Sequence, residues 1–280
     1  MLISLHLCTL RAGAIGASLV VKCFHSEQGA NIMRAPDLFM CLLIVLTISS
    51  YAWADISILE PKDKHKGKSG RPAVAILING QISKADATKL AAFFANKQLE
   101  LEENRLWLDS PGGDMDAAMD MGRILDRNTV AAFVDKNSSC LSACVLVAMG
   151  AESRVIGGKV GIHRPYSLEP SDDYARVEAS YRKLQKRVRQ YVADLDFPAQ
   201  LYDEMMAVPP EDVKLLSAAE LKKYYLEGRT PAKEDSVDSA YAKHYGITKQ
   251  EWLQRKVRIQ ACGRTQDVGA CIGNAIDGRN

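Results

Sequence analysis

Three short words follow one another between residues 106 and 165. They are Asp109-Ser110-Pro111-Gly112-Gly113, then Ser142-Ala143-Cys144, then Ile162-His163-Arg164-Pro165. Glycine accepts positive φ and lets a ligand approach, so a double-glycine turn can aim backbone N–H groups at an oxyanion. A serine hydroxyl attacks a carbonyl only when a base takes its proton, and histidine is suited to that near neutral pH. The order turn, serine, histidine therefore spells acyl-transfer chemistry. Ser142 is the candidate nucleophile, His163 the candidate base, and Gly112 and Gly113 the candidate oxyanion donors. Each word alone has a plainer reading: a strand-to-helix turn, a helix cap, a structural histidine. Cys140 and Cys144 are rival nucleophiles, but an oxidising compartment disfavours a resting thiol. A zinc site from Cys140, Cys144 and His163 lacks a compact ligand spacing, so no metal or cofactor is assigned.

The elements that must position these words alternate strand and helix, giving an α/β chain. Ala73–Ile78 reads as a buried strand ending at Asn79-Gly80, and Ser83–Leu99 as a helix with apolar residues at Ala87, Leu90, Ala91 and Phe94. Leu106–Leu108 is a strand broken by Pro111-Gly112-Gly113, and Asp114–Asp126 a helix. Val130–Val134 is the next strand, Asn137–Ser139 a loop, and Leu141–Met149 a buried helix. Strands 154–156 and 159–162 flank Gly157-Gly158. The longest helix spans Asp172–Leu195, with Tyr174, Val177, Tyr181, Leu184 and Val188 on one face and a solvated basic face opposite. Pro209-Pro210 mark a turn, and Ser217-Ala218-Ala219-Glu220 is a capping-box helix start. Residues 234 to 259 read as helical, and the segment holding Cys262 and Cys271 as loop.

The chain has 280 residues, 47% hydrophobic and 25% charged, with a net charge of +2. That fits one domain with an appendage and excludes the marked basic excess of a nucleic-acid binder. Met33-Arg34, the apolar run Leu38–Ile48 and Ala52-Trp53-Ala54 form a secretory signal with cleavage after Ala54 and a true start at Met33. The alternative is an N-terminal membrane anchor. Residues 1–54 are thus upstream sequence and signal, 55–70 a lysine-rich linker, 71–230 the domain, and 231–280 a helical tail. Seven cysteines become Cys140, Cys144, Cys262 and Cys271 in the exported chain. An even count suggests disulfides, and proximity favours Cys140–Cys144 and Cys262–Cys271 over free buried thiols.

From about residue 73 to 228 the chain resembles the Clp-type serine peptidases of the crotonase-like superfamily. The resemblance rests on the Ser110–Gly113 turn, the serine at a helix start, the Ile162-His163-Arg164-Pro165 strand end, the long helix after it and the Leu216-Ser217-Ala218 helix start. Arg154-Val155 matches a family pair but is displaced. The resemblance implies a fold of repeated β-β-α units with a C-terminal helical extension here, a peptide or protein substrate, and homo-oligomers built through the Asp172–Leu195 helix. Three features depart from the family pattern. Ser142 and His163 are only 21 residues apart, cysteines flank the serine, and the acid Asp212 lies five residues before Ser217 where the pattern places it at Val213. A Ser142–His163 dyad and a triad with Asp212 both stand.

The functional reading is a periplasmic or secreted Clp-like serine hydrolase without an ATPase partner, since no ATP-driven unfoldase is expected outside the cytoplasm. The alternative is a catalytically inactive binding or scaffold protein on the same fold. Thioester chemistry, also hosted by crotonase-like folds, is disfavoured by export away from coenzyme A.

Overall fold

Short apolar runs closed by turn residues become strands, and periodic runs become helices. The computed structural model describes residues 55–59, 74–95, 104–166, 173–264 and 267–279. The signal peptide, most of the linker and the first residue of the long helix lie outside them. The strands are β1 (Asp55–Leu59), β2 (Ala75–Asn79), β3 (Arg105–Asp109), β4 (Ala131–Val134), β5 (Ser139–Leu141), β6 (Ser153–Ile156), β7 (Lys159–Ile162) and β8 (Lys214–Leu215). The helices are α1 (Lys84–Ala95), α2 (Met115–Asp126), α3 (Ala143–Gly150), α4 (Tyr174–Asp194), α5 (Ala199–Ala207), α6 (Ala218–Lys223), α7 (Pro231–His244), α8 (Lys249–Ala261) and α9 (Val268–Ile276). The succession β1-β2-α1, β4-β5-α3 and β6-β7-α4 repeats a β-β-α unit, and the C-terminal part is helical. The mixed α/β expectation therefore holds.

A large sheet has the order β1-β2-β3-β4-β6 and a small one β5-β7-β8. In the large sheet only β1 runs antiparallel to its neighbour. Ile76, Leu106, Ala132 and Arg154 stand in register across it and are all buried. Arg154 is the anomaly in that apolar row.

Its guanidinium donates to carbonyls rather than to a carboxylate: Ala151 at 2.7 Å, Gly228 at 2.9 Å and Tyr225 at 3.0 Å. Burial lowers its pKa to about 10. Lys233 Nζ reaches the Gly150 and Ala151 carbonyls, each at 3.1 Å. Two cations thus cap the C-terminal end of α3, where the helix dipole is negative and the last carbonyls lack intrahelical partners. The device suits α3, whose eight residues are all buried, as a helix apolar on every side must be.

Two glycines let α2 approach α3. A Cβ at Gly150 would lie 2.0 Å from the Gly122 carbonyl oxygen, and one at Gly122 would lie 2.8 Å from that of Leu146. Tyr191 of α4 closes the gap by donating its hydroxyl to the Leu146 carbonyl at 2.6 Å. Complete burial pushes that phenol well above its ordinary range.

Four local readings are corrected. Residues 55–59, read as the start of the linker, form the edge strand β1 on β2; the apolar Ile56 and Ile58 alternate with Ser57, a pattern masked by the lysines that follow. Ser139–Leu141 is a strand, so the buried helix starts only at Ala143; three residues are too few to show a period. Helix α5 and strand β8 had no sequence signal strong enough to place them. In the tail, Gly246 at φ +64° separates α7 from α8, and α9 occupies the segment read as loop. Helix α8 folds back on α7, where Trp252 Nε1 donates to the buried Asp238 at 2.9 Å and Lys256 Nζ reaches the same carboxylate at 2.7 Å. Among the described residues no helix is long and apolar enough to cross a membrane.

Candidate active site

Strand register brings the three words together. Ser110, just beyond β3, bridges in parallel to Cys140 of β5; Ser110 N donates to Ser139 O at 2.7 Å and Leu141 N to Ser110 O at 3.0 Å. Strand β5 pairs in parallel with β7, Leu141 opposite Gly161. Three adjacent chain segments therefore run in one direction. At their common C-terminal end they release Pro111-Gly112-Gly113, Ser142 and His163. Loops at such strand ends are where α/β folds build sites.

Ser142 turns the chain from β5 into α3 at φ 54°, ψ −125°, and its side chain makes no capping bond. A non-glycine residue there costs about 1–3 kcal/mol and persists only where its surroundings hold it. Those surroundings are specific. Ser142 N donates to Gly161 O at 2.9 Å, and the Cys140–Cys144 disulfide spans the turn with Cα atoms 5.2 Å apart. Gly112 packs directly on it: a Cβ there would fall 2.7 Å from Ser142 Cβ and 2.9 Å from Leu141 O. Gly112 is at φ +105° and Gly113 at φ +143°, both conformations that require glycine.

The donors in this turn differ from the sequence expectation. Gly112 N–H donates to Ser110 Oγ at 3.1 Å, and Gly112 O accepts from Ile82 N at 2.8 Å. Gly112 N–H is thus engaged inside the turn. Among the described residues, Gly113 N–H has no acceptor. Ala143 N, in the unpaired first turn of α3, would lie 3.0 Å from a Cβ at Gly112. Sequence reasoning missed Ala143 because any residue type supplies a backbone N–H; its position after Ser142 was the only signal.

His163 is 7% exposed. Its Nδ1 lies 2.8 Å from the Arg164 carbonyl oxygen. A carbonyl only accepts, so in this contact Nδ1 carries the proton and Nε2 holds the lone pair. Arg164 N donates to Val208 O at 3.0 Å, which fixes the peptide that orients the ring. The Tyr166 ring lies 5.8 Å from the imidazole. No hydrogen bond joins His163 to Ser142 among the described residues.

No hydrogen bond or ion pair joins Asp212 to His163 among the described residues. Asp212 is exposed, and its N–H closes a turn on Pro209 O at 3.1 Å. Strand β8 runs antiparallel to β7 with Lys214 opposite Ile162. One step along that register faces His163 with Val213. Glu204, which sequence reasoning did not single out, and Glu220, which forms the expected capping box with Ser217, lie beside β8, but both are taken by Lys214, at 2.5 and 2.7 Å. Lys214, with Ser217, draws Glu220 down to about 2, and the two carboxylates raise Lys214 well above its usual range. The network fastens β8 between α5 and α6.

Both cysteine pairs are disulfides, the second with Cα atoms 5.6 Å apart. Cys140 and Cys144, bonded to each other, offer no thiolate to attack a carbonyl or bind zinc.

No protein-family model and no curated protein matches the chain. Among solved structures, one similar chain is a ClpP1 mutant from Listeria monocytogenes, at 15% identity and a TM-score of 0.43, covering 54% of this chain and 86% of that one. Another is a mutant of the 1510-N membrane-bound stomatin-specific protease, at 21% identity and a TM-score of 0.38, covering 54% and 74%.

Proposed function

We propose that the chain is an exported serine hydrolase that cleaves peptide bonds with a Ser142–His163 dyad. The observation that carries the reading is the strained, uncapped Ser142 beside Gly112, at the end where His163 leaves the neighbouring strand. The two disulfides support export, since such bonds persist in oxidising compartments. The domain, expected over residues 71–230, also takes in the edge strand β1, with signal sequence assigned up to Ala54.

In the proposed reaction, His163 Nε2 takes the proton from Ser142 Oγ as the oxygen bonds to the substrate carbonyl carbon. The carbonyl π electrons move to oxygen, and the oxyanion accepts from Gly113 N–H and Ala143 N–H. A donor of this kind is worth about 3–4 kcal/mol. His163 then protonates the leaving amine as the C–N bond breaks. Water, deprotonated by the same nitrogen, hydrolyses the acyl-enzyme. The Ser142–His163 hydrogen bond forms in the substrate complex, as catalytic bonds that are long in free enzymes commonly do. The Arg164 carbonyl replaces the triad acid in fixing the ring and tautomer. Being neutral, it stabilises the imidazolium less than a carboxylate does.

Oligomers are assigned to the Asp172–Leu195 helix, whose described first turns are largely exposed, Tyr174 at 86%. One observation favours a second reading: with no carboxylate bonded to His163 and no Ser142–His163 bond among the described residues, the fold also suits a non-catalytic peptide binder. Turnover of a peptide library by the oxidised chain decides. Hydrolysis that disappears in both Ser142→Ala and His163→Ala establishes the dyad; peptide binding without hydrolysis establishes the binder.

A further inference from the structure

On the exposed face of the small sheet, side chains from the two segments flanking β7 meet above one glycine. A Cβ at Gly161 would lie 2.6 Å from Val213 Cγ1, 2.7 Å from Leu141 Cδ2 and 3.2 Å from Leu215 Cδ2. The missing side chain lets them form a continuous apolar floor. This floor is not core: Val213 is 45% and Leu215 52% exposed. It forms one end of an open groove of about 620 Å³, whose other end is lined by Lys136, Ser139 and Lys159. No carboxylate lines the groove, and neither lysine has an ion pair among the described residues.

The apolar end is one residue along the chain from the proposed nucleophile. Leu141 precedes Ser142, and Gly161 O holds Ser142 N. The basic end lies further back along the same strands, where Lys159 is opposite Ser139. At about 3.3 Å per residue, Lys159 is about 7 Å from the Gly161 level and about 10 Å from that of Ser142. That is the reach of three residues of extended peptide.

We propose that this groove is the specificity subsite of the hydrolase, taking an extended peptide with an apolar side chain beside the scissile bond and an acidic side chain about three residues away, between Lys136 and Lys159. The assignment rests on the hydrolase reading for its meaning as a subsite. It gives Val213 a role: at the register position facing His163, the chain carries a substrate contact instead of a carboxylate.

The test is fluorescence anisotropy of labelled peptides on full-length, oxidised Ser142→Ala protein, which binds without cleaving. Two peptides share an apolar residue and differ by Asp or Lys three positions away. The acidic peptide is expected to bind about three- to tenfold more tightly at low salt, with the difference shrinking at high salt. Combined Lys136→Glu and Lys159→Glu substitution reverses the preference, with melting temperature as the folding control. Equal affinities, or a preference that survives charge reversal, overturn the subsite. Turnover by the wild-type chain separates the two readings: cleavage without charge discrimination removes the subsite alone, and discrimination without cleavage removes the hydrolase.

Discussion

Positive φ marks the residues on which the site depends. Ser142, Gly112 and Gly113 all adopt it, and only the serine does so against a steric cost. Gly112→Ala brings a methyl to within 2.7 Å of Ser142 Cβ. It is expected to destabilise the fold by about 2–3 kcal/mol and to slow acylation by about 100-fold or more, read by urea titration and by turnover. Asp212→Ala, on an exposed turn with no bond to His163 among the described residues, is expected to leave turnover within about twofold of wild type; a loss of about tenfold or more would establish it as a triad member. The candidate serine, histidine and double-glycine turn stood out because these types in this order have few rivals; that Gly112 N–H is engaged by Ser110 Oγ did not. The orienting group was not, because it is the backbone carbonyl of Arg164, which carries no side-chain signature.

Elements deliver these residues through register, and register depends on a few fastenings. Strand β8 is held by Lys214, Glu204 and Glu220. Glu220 is drawn to about 2 from an ordinary 4.5, first by its bond to Lys214. A depressed carboxylate contributes stability that is complete above its ordinary value and lost as pH falls through its folded value. Stability is therefore expected to fall between about pH 4.5 and 2, and Glu220→Gln to flatten that acid limb in pH-dependent thermal melts. At the other end of the core, Arg154→Met leaves the Tyr225 carbonyl without its donor, while Lys233 still reaches Ala151 O and the residue-154 N–H still reaches Gly228 O; it is expected to cost about 1–3 kcal/mol in urea titration. The long periodic helix and the apolar strands were readable from the sequence. Strands β5 and β8 were not, because two or three residues cannot display a period, and pairing partners distant in the chain define them.

At the scale of the whole molecule, a mixed α/β body with a disulfide at its candidate site continues into a helical tail stapled by a second disulfide. The Cys140–Cys144 bond closes a five-residue loop around Ser142, worth about 2 kcal/mol by chain entropy. Replacing both cysteines by alanine is expected to slow acylation beyond the loss of stability, since the turn they brace carries the nucleophile. Replacing Cys262 and Cys271 lowers the melting temperature alone. Equal acylation in the two double variants, measured at matched folded fractions, would contradict the bracing role. The α/β class and both disulfide pairs followed from alternation and an even cysteine count. The split of the tail into three helices did not, because its only sign was a glycine at a helix end.

The central claim is that Ser142 is a nucleophile served by His163. Its most direct measurement is intact-mass spectrometry of the oxidised, full-length chain after exposure to a fluorophosphonate, followed by peptide mapping. One adduct per chain, located on Ser142 and absent from His163→Ala over the same interval, is the predicted result. A folded, oxidised chain that gains no adduct, or gains it at another residue, would contradict the account.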